Sequence, residues 1–264
     1  MTAPIVSAHQ VQLGYAGAAV VHELSIEIPD GGFTIIIGPN ACGKSTLLRG
    51  LGRMLVPRSG KVLLDGHDIR LAGAKWVARH IALLPQAPTT PDAITVADLV
   101  SRGRYPHQSM LRQWSVQDEE AVAAALTEVG MADSAERYVE ELSGGQRQRV
   151  WIAMTLAQET PVLLLDEPTT YLDIAHQLDV LNLCARLHRR GRTLVAVLHD
   201  LNLAARYASN IVAMRDGRIV AEGSPSDVLT PQLLADVFDL DARVQPDPET
   251  GRPMMIPRDG RDRS

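Results

Sequence analysis

The stretch Gly38-Pro39-Asn40-Ala41-Cys42-Gly43-Lys44-Ser45-Thr46 constrains this chain more than any other. It follows the apolar run Phe33-Thr34-Ile35-Ile36-Ile37 and opens into Leu47-Leu48-Arg49, so it lies where a strand hands over to a helix. A glycine-rich turn in that setting gathers backbone N–H groups at a helix N-terminus, an arrangement that holds phosphate. Gly38 and Gly43 permit the turn, Lys44 reaches the β- and γ-phosphates, and the Ser45 hydroxyl is placed to ligand Mg²⁺. On its own the stretch implies nucleotide triphosphate binding and nothing finer.

Three further stretches add chemistry. Pro161-Val162-Leu163-Leu164-Leu165-Asp166-Glu167 reads as a buried parallel strand ending in two carboxylates. There, beside a nucleotide, Asp166 can hold Mg²⁺ through water and Glu167 can polarise an attacking water. Thr193 to Leu198 is a second buried strand, and His199 at its end can bond a γ-phosphate and orient the same water. Leu142-Ser143-Gly144-Gly145-Gln146 starts a helix, and its two glycines exceed what a cap by Ser143 needs, which suggests close approach of a phosphate.

Together these stretches resemble the ATP-binding cassette (ABC) ATPases, from about Val11 to about Pro257. The resemblance implies an α/β fold: a P-loop nucleotide-binding core with an N-terminal antiparallel β subdomain and an inserted α-helical subdomain. The expected division of the single domain is 1–86 and 161–245 for the core, 87–160 for the helical insertion and 246–264 for a tail. The helical reading of the insertion rests on the Ala/Leu/Val face of Asp118 to Val129 and on two capping-box-like pairs, Thr95 with Asp98 and Ser115 with Asp118. The tail, with Pro246, Pro248, Gly251, Pro253 and Pro257, reads as too turn-rich for regular structure.

By the same resemblance Tyr15 stacks on adenine, and Gln86 ligands Mg²⁺ and the attacking water while sensing movement of the next segment. Asp173 matches the position that crosses the dimer interface, although helix N-capping alone also explains an Asp there. ATP would be sandwiched between Gly38–Thr46 of one chain and Ser143, Gly144, Gly145 and Gln146 of another, so the chain is expected to act as a homodimer. Ala41 stands where most such ATPases place Gly, which implies that this backbone does not need positive φ.

Composition bounds the rest. The 264 residues are 45% hydrophobic, with a formal net charge of −5 that gives no reason to expect nucleic acid. No stretch reaches the ~20 apolar residues a membrane helix needs. The two cysteines, Cys42 and Cys184, and the absence of a signal-like start fit a reducing cytosol without disulfides. Cys42, near Lys44 and a helix start, sits where a thiol pKa tends to fall, so a redox role is open.

Finer resemblance comes from Ala97-Asp98-Leu99-Val100-Ser101-Arg102-Gly103-Arg104-Tyr105-Pro106-His107, Thr169 to Gln177, and Asp247-Pro248-Glu249-Thr250-Gly251. These look like the ATPase subunits of ferric siderophore importers, with cobalamin and haem importers as close relatives and a soluble cassette ATPase as the alternative of another class. The resemblance implies permease partners in the membrane, an indirect link to a substrate-binding protein, and a peripheral place on the cytoplasmic face of the inner membrane.

Overall fold

The computed structural model describes residues 4–108 and 114–258. The chain divides into two compact units, Met1–Arg70 with Val195–Ser264, and Leu71–Leu194.

In the first unit the strands Ala18–Pro29, Pro4–Tyr15, Ser59–Leu64 and His67–Asp68 form an antiparallel sheet in that order. Alternation decides which face is inside: in Ala18–Pro29, Leu24, Ile26 and Ile28 are buried while Ser25 and Glu27 are exposed. The strand Phe33–Ile37 is different, with all five residues buried, and it pairs in parallel with Asn210–Arg215, Ile35 opposite Ile211. A strand covered on both faces has no use for alternation, which is why its sequence is continuously apolar. Each of its fully buried isoleucines contributes about 1.5–3 kcal/mol. Asp216 (φ 49°) and Gly217 (φ 72°) then close a tight hairpin to Arg218–Gly223.

The tail corrects the expectation from its sequence. Ala242–Pro246 and Pro253–Pro257 form an antiparallel hairpin, Val244 opposite Met255. Three prolines sit at strand ends, where a missing N–H costs the ladder least. The Asp247 carboxylate accepts the Glu249 N–H at 2.8 Å, and Gly251 turns the chain at φ 67°. Asn202 clamps the hairpin to the helix Leu201–Tyr207: its Oδ1 accepts from Met255 N at 2.7 Å and its Nδ2 donates to Met255 O at 3.1 Å. Residues 259–264 of the expected tail lie outside the described residues.

In the second unit Ile81–Leu84 pairs in parallel with Val162–Asp166, and the helices Val96–Ser101, Val116–Glu128, Gly144–Ala157 and Ile174–Arg189 make up much of the rest. Helical period explains Val116–Glu128, which buries Ala121, Val122, Ala125 and Leu126 along one side. Ser115 and Asp118 make a full capping box, whereas Thr95 only accepts from Asp98 N. Arg104, 4% exposed, fixes these helices: it donates to Asp118 at 2.8 Å, to the Ala157 carbonyl at 2.7 Å and to Glu159 at 2.6 Å. Burial alone would raise the Asp118 pKa, but the hydrogen bonds from Arg104 and Ser115 hold it below the usual range. Among the described residues no helix is long and apolar enough to cross a membrane.

Candidate functional site

The first unit carries the glycine-rich turn. Phe33–Ile37 delivers the chain to Gly38, whose φ of 153° turns it beneath the neighbouring strand. A Cβ on Gly38 would lie 2.3 Å from the Met214 carbonyl oxygen and 2.7 Å from Cys42 Sγ, so only glycine fits. Gly43, at φ 105°, starts the helix Lys44–Leu51 with no side-chain cap. The start of this helix is thus left to whatever accepts from backbone N–H groups, as an anion does. Lys44 is buried, and its Nζ donates to Gly38 O and Pro39 O at 2.8 Å each. The ammonium braces the loop it serves.

Two expectations about this turn fail. Ala41 does adopt positive φ, 62°, so a non-glycine residue is held in the left-handed region. The side chain costs about 1–2 kcal/mol there; the turn accepts it because its curvature is set from both sides, by Gly38 and Gly43. Cys42 is buried, and burial pushes its thiol pKa up, although the Lys44 charge pulls the other way. Burial thus opposes the activation that its neighbours in sequence suggest. Cys184 is buried as well, its thiol pushed up to about 12 by burial, and both cysteines are free.

Tyr15 is half-exposed, its hydroxyl accepting from Arg49 Nη1 at 3.2 Å, which leaves the ring available as a platform. His199 is exposed at its strand end, and Asp200 caps the following helix by accepting from Leu203 N at 2.9 Å.

The second unit brings Gln86 and Glu167 together. Asp166 and Glu167 end a fully buried strand and are themselves 1% and 9% exposed. Glu167 sits at φ 53°, a strained backbone for a non-glycine residue. Its Oε2 accepts from Gln86 Nε2 at 2.7 Å and from Thr170 Oγ1 at 2.9 Å. The carboxylate is therefore aimed by two donors. Thr170 was not singled out from sequence; the signal was a hydroxyl three residues past a strand-end carboxylate.

The Leu142–Gln146 stretch begins the helix Gly144–Ala157, with Ser143 as N-cap in a reciprocal box with Gln146 at 3.0 and 3.2 Å. Gln146, expected at the nucleotide, spends its side chain on this cap. Gly144 faces open space, whereas a Cβ on Gly145 would lie 2.4 Å from Cδ2 of His176. The second glycine thus has an internal reason besides phosphate approach. Asp173 caps Ile174–Arg189 by accepting from His176 N at 2.9 Å, so its capping role is realised.

Each unit by itself offers chemistry that suits a nucleotide with a hard cation: in the first, a buried lysine in a backbone cradle beside the Ser45 hydroxyl, and in the second, the side-chain oxygens of Gln86 and Asp166. Among the described residues no three His, Cys, Asp or Glu side chains cluster to hold a metal alone. A Mg²⁺ here would depend on the nucleotide's own phosphates, as such ions usually do.

Comparison with known proteins agrees with this chemistry. The family model described as ABC transporter matches residues 21–170, more than half of the chain. The ferric enterobactin transport ATP-binding protein FepC of Escherichia coli is 53% identical over 94% of this chain and 92% of its own length. The cobalamin import ATP-binding protein BtuD of Halobacterium salinarum is 40% identical over 92% of this chain and 61% of its own length. Among solved structures, the dimeric bacterial ABC transporter cassette MJ0796 superposes with a TM-score of 0.73 at 26% identity, covering 83% of this chain and 98% of that one. The same cassette is known with ADP and Pi bound. With a phosphate-binding turn, a carboxylate-ended strand and these relatives, the chain belongs to the ABC transporter family and is one of its nucleotide-binding ATPase subunits.

Proposed function

We propose that this chain powers uptake of ferric siderophores, hydrolysing ATP as a homodimer on the cytoplasmic face of the membrane beneath permease subunits fed by a substrate-binding protein. The cargo reading is supported by 53% identity to an enterobactin transport protein against 40% to a cobalamin one.

In this reading Tyr15 stacks on adenine, and the backbone of Gly38, Pro39, Asn40, Ala41, Cys42, Gly43, Ser45 and Thr46 surrounds the phosphates, with Lys44 neutralising them. Ser45, Gln86 and Asp166 would hold Mg²⁺, which when bound neutralises charge on the β- and γ-phosphates. Ser143, Gly144 and Gly145 approach the γ-phosphate bound by the second chain, with Gln146 holding their cap closed and Asp173 at the dimer contact. Glu167 accepts a proton from the attacking water as its oxygen bonds to the γ-phosphorus and the bond to the β-phosphate oxygen breaks. His199 orients that water.

One observation carries the assignment of the base. Glu167, nearly buried at its strand end and held at φ 53°, has one carboxylate oxygen fixed by two donors, and that fixed aim supports its role as the base. Glu167→Gln should retain ATP binding and lose about 10²–10⁴-fold in kcat. ATP binding by fluorescence and phosphate release by the same preparation check this; hydrolysis near the wild-type rate would remove Glu167 from the role.

A further inference from the structure

The His176 ring lies over Gly145, so near that a Cβ there would be 2.4 Å from Cδ2, 2.9 Å from Cγ and 3.0 Å from Nε2. Its Nδ1 is 2.8 Å from Asp173 Oδ1. An ionised carboxylate only accepts, so Nδ1 is the donor in this contact. One turn further along, Arg149 of the Gly144–Ala157 helix meets Asp179 of the Ile174–Arg189 helix at 2.5 Å. The two helices, capped by Ser143 and Asp173, are thereby joined by His176 at their starts and by the Arg149–Asp179 pair one turn on. The Asp173 carboxyl lies below the usual range because His176 donates to it, first through its backbone N–H and then through its ring. It therefore stays an acceptor at neutral pH.

We infer that His176 is a positioning residue for hydrolysis, setting the Ser143–Gly145 turn against the Asp173 turn so that both meet the second chain as one preformed surface. This rests on the proposed role of Ser143–Gly145 at the partner's nucleotide. His176 touches no reacting atom. Its effect is preorganisation: without the ring, ordering of the turn is drawn from ATP-driven pairing of the two chains. The ring also explains the glycine, since a methyl at Gly145 would push the imidazole off Asp173.

The test uses the full chain and follows hydrolysis against ATP concentration. His176→Ala should raise the half-saturating ATP by roughly fivefold with kcat changed less than about twofold, because pairing restores the geometry once ATP saturates. Gly145→Ala should lower hydrolysis about tenfold, and adding His176→Ala to it should recover activity, since the methyl then occupies the space the ring left. His176→Asn, which keeps a donor for Asp173 but no ring, should not relieve Gly145→Ala less than His176→Ala does; His176→Phe, which keeps the ring, should not relieve it. Thermal melting of each variant separates loss of function from loss of fold. Gly145→Ala impaired and unrelieved by His176→Ala overturns the inference while leaving the role of the turn intact. Ser143→Ala and Gly145→Ala both hydrolysing at the wild-type rate overturns that role and the inference with it.

Discussion

The chain contains two helix starts of similar composition and opposite construction. Gly38 to Thr46 bends through left-handed backbone at Gly38, Ala41 and Gly43, has no side-chain cap, and is braced internally by Lys44. Ser143 to Gln146 has an ordinary extended N-cap at φ −62°, closed by a reciprocal side-chain box, with one glycine open and the other under an imidazole. A turn that encloses a ligand leaves its own N–H groups to that ligand and distorts its backbone to aim them. A turn that meets a ligand held elsewhere can satisfy its cap itself, because it has only to present a surface. The two constructions fit the proposed roles of a cradle and a lid, and the difference is readable in φ angles and caps.

Substituting the polar side chain of each turn should separate these roles most. Lys44→Ala should weaken ATP binding by the single chain about 100-fold, since two charge-assisted contacts and the charge itself are lost. Ser143→Ala should leave that binding within about twofold and lower hydrolysis about tenfold. Equal losses of binding in the two variants would break the comparison.

The glycines separate them next. Gly38→Ala should destabilise the fold by about 2–3 kcal/mol, because its Cβ meets backbone rather than a mobile side chain. Gly144→Ala should leave thermal stability within about 0.5 kcal/mol, there being nothing near its Cβ, yet lower hydrolysis if a phosphate approaches it. The smallest effect is expected at Ala41. Ala41→Gly relieves a left-handed alanine and should raise stability by about 0.5–1 kcal/mol, or about 1–3 °C in Tm, with ATP binding retained. A fall in Tm would mean that the strain is absorbed elsewhere in the turn.

Local chemistry was the legible part. The strand-to-helix setting of Lys44, the carboxylates at a strand end and the Ser115 and Ser143 caps are each decided by residues adjacent in sequence. Whatever depended on distant residues was not. Ala41 looked like evidence against positive φ because a residue type reports its own preference, while the turn around it sets the angle. Cys42 looked activated because Lys44 is near in sequence, whereas its burial comes from the fold. The tail reads as irregular from its proline content, but Pro246, Pro253 and Pro257 stand at strand ends, where the ladder tolerates them. His176 gave no signal because its meaning lies in Gly145, which only the folded chain brings beside it.

In the proposed function, ATP hydrolysis by this chain drives import of an iron complex. Uptake of radiolabelled ferric siderophore by cells whose only copy is wild type or Glu167→Gln tests it most directly, with labelled cobalamin as the control cargo. The variant protein should be present at wild-type levels while siderophore uptake falls to the level of cells lacking it and cobalamin uptake is unchanged. Siderophore uptake at the wild-type rate in the variant would contradict it.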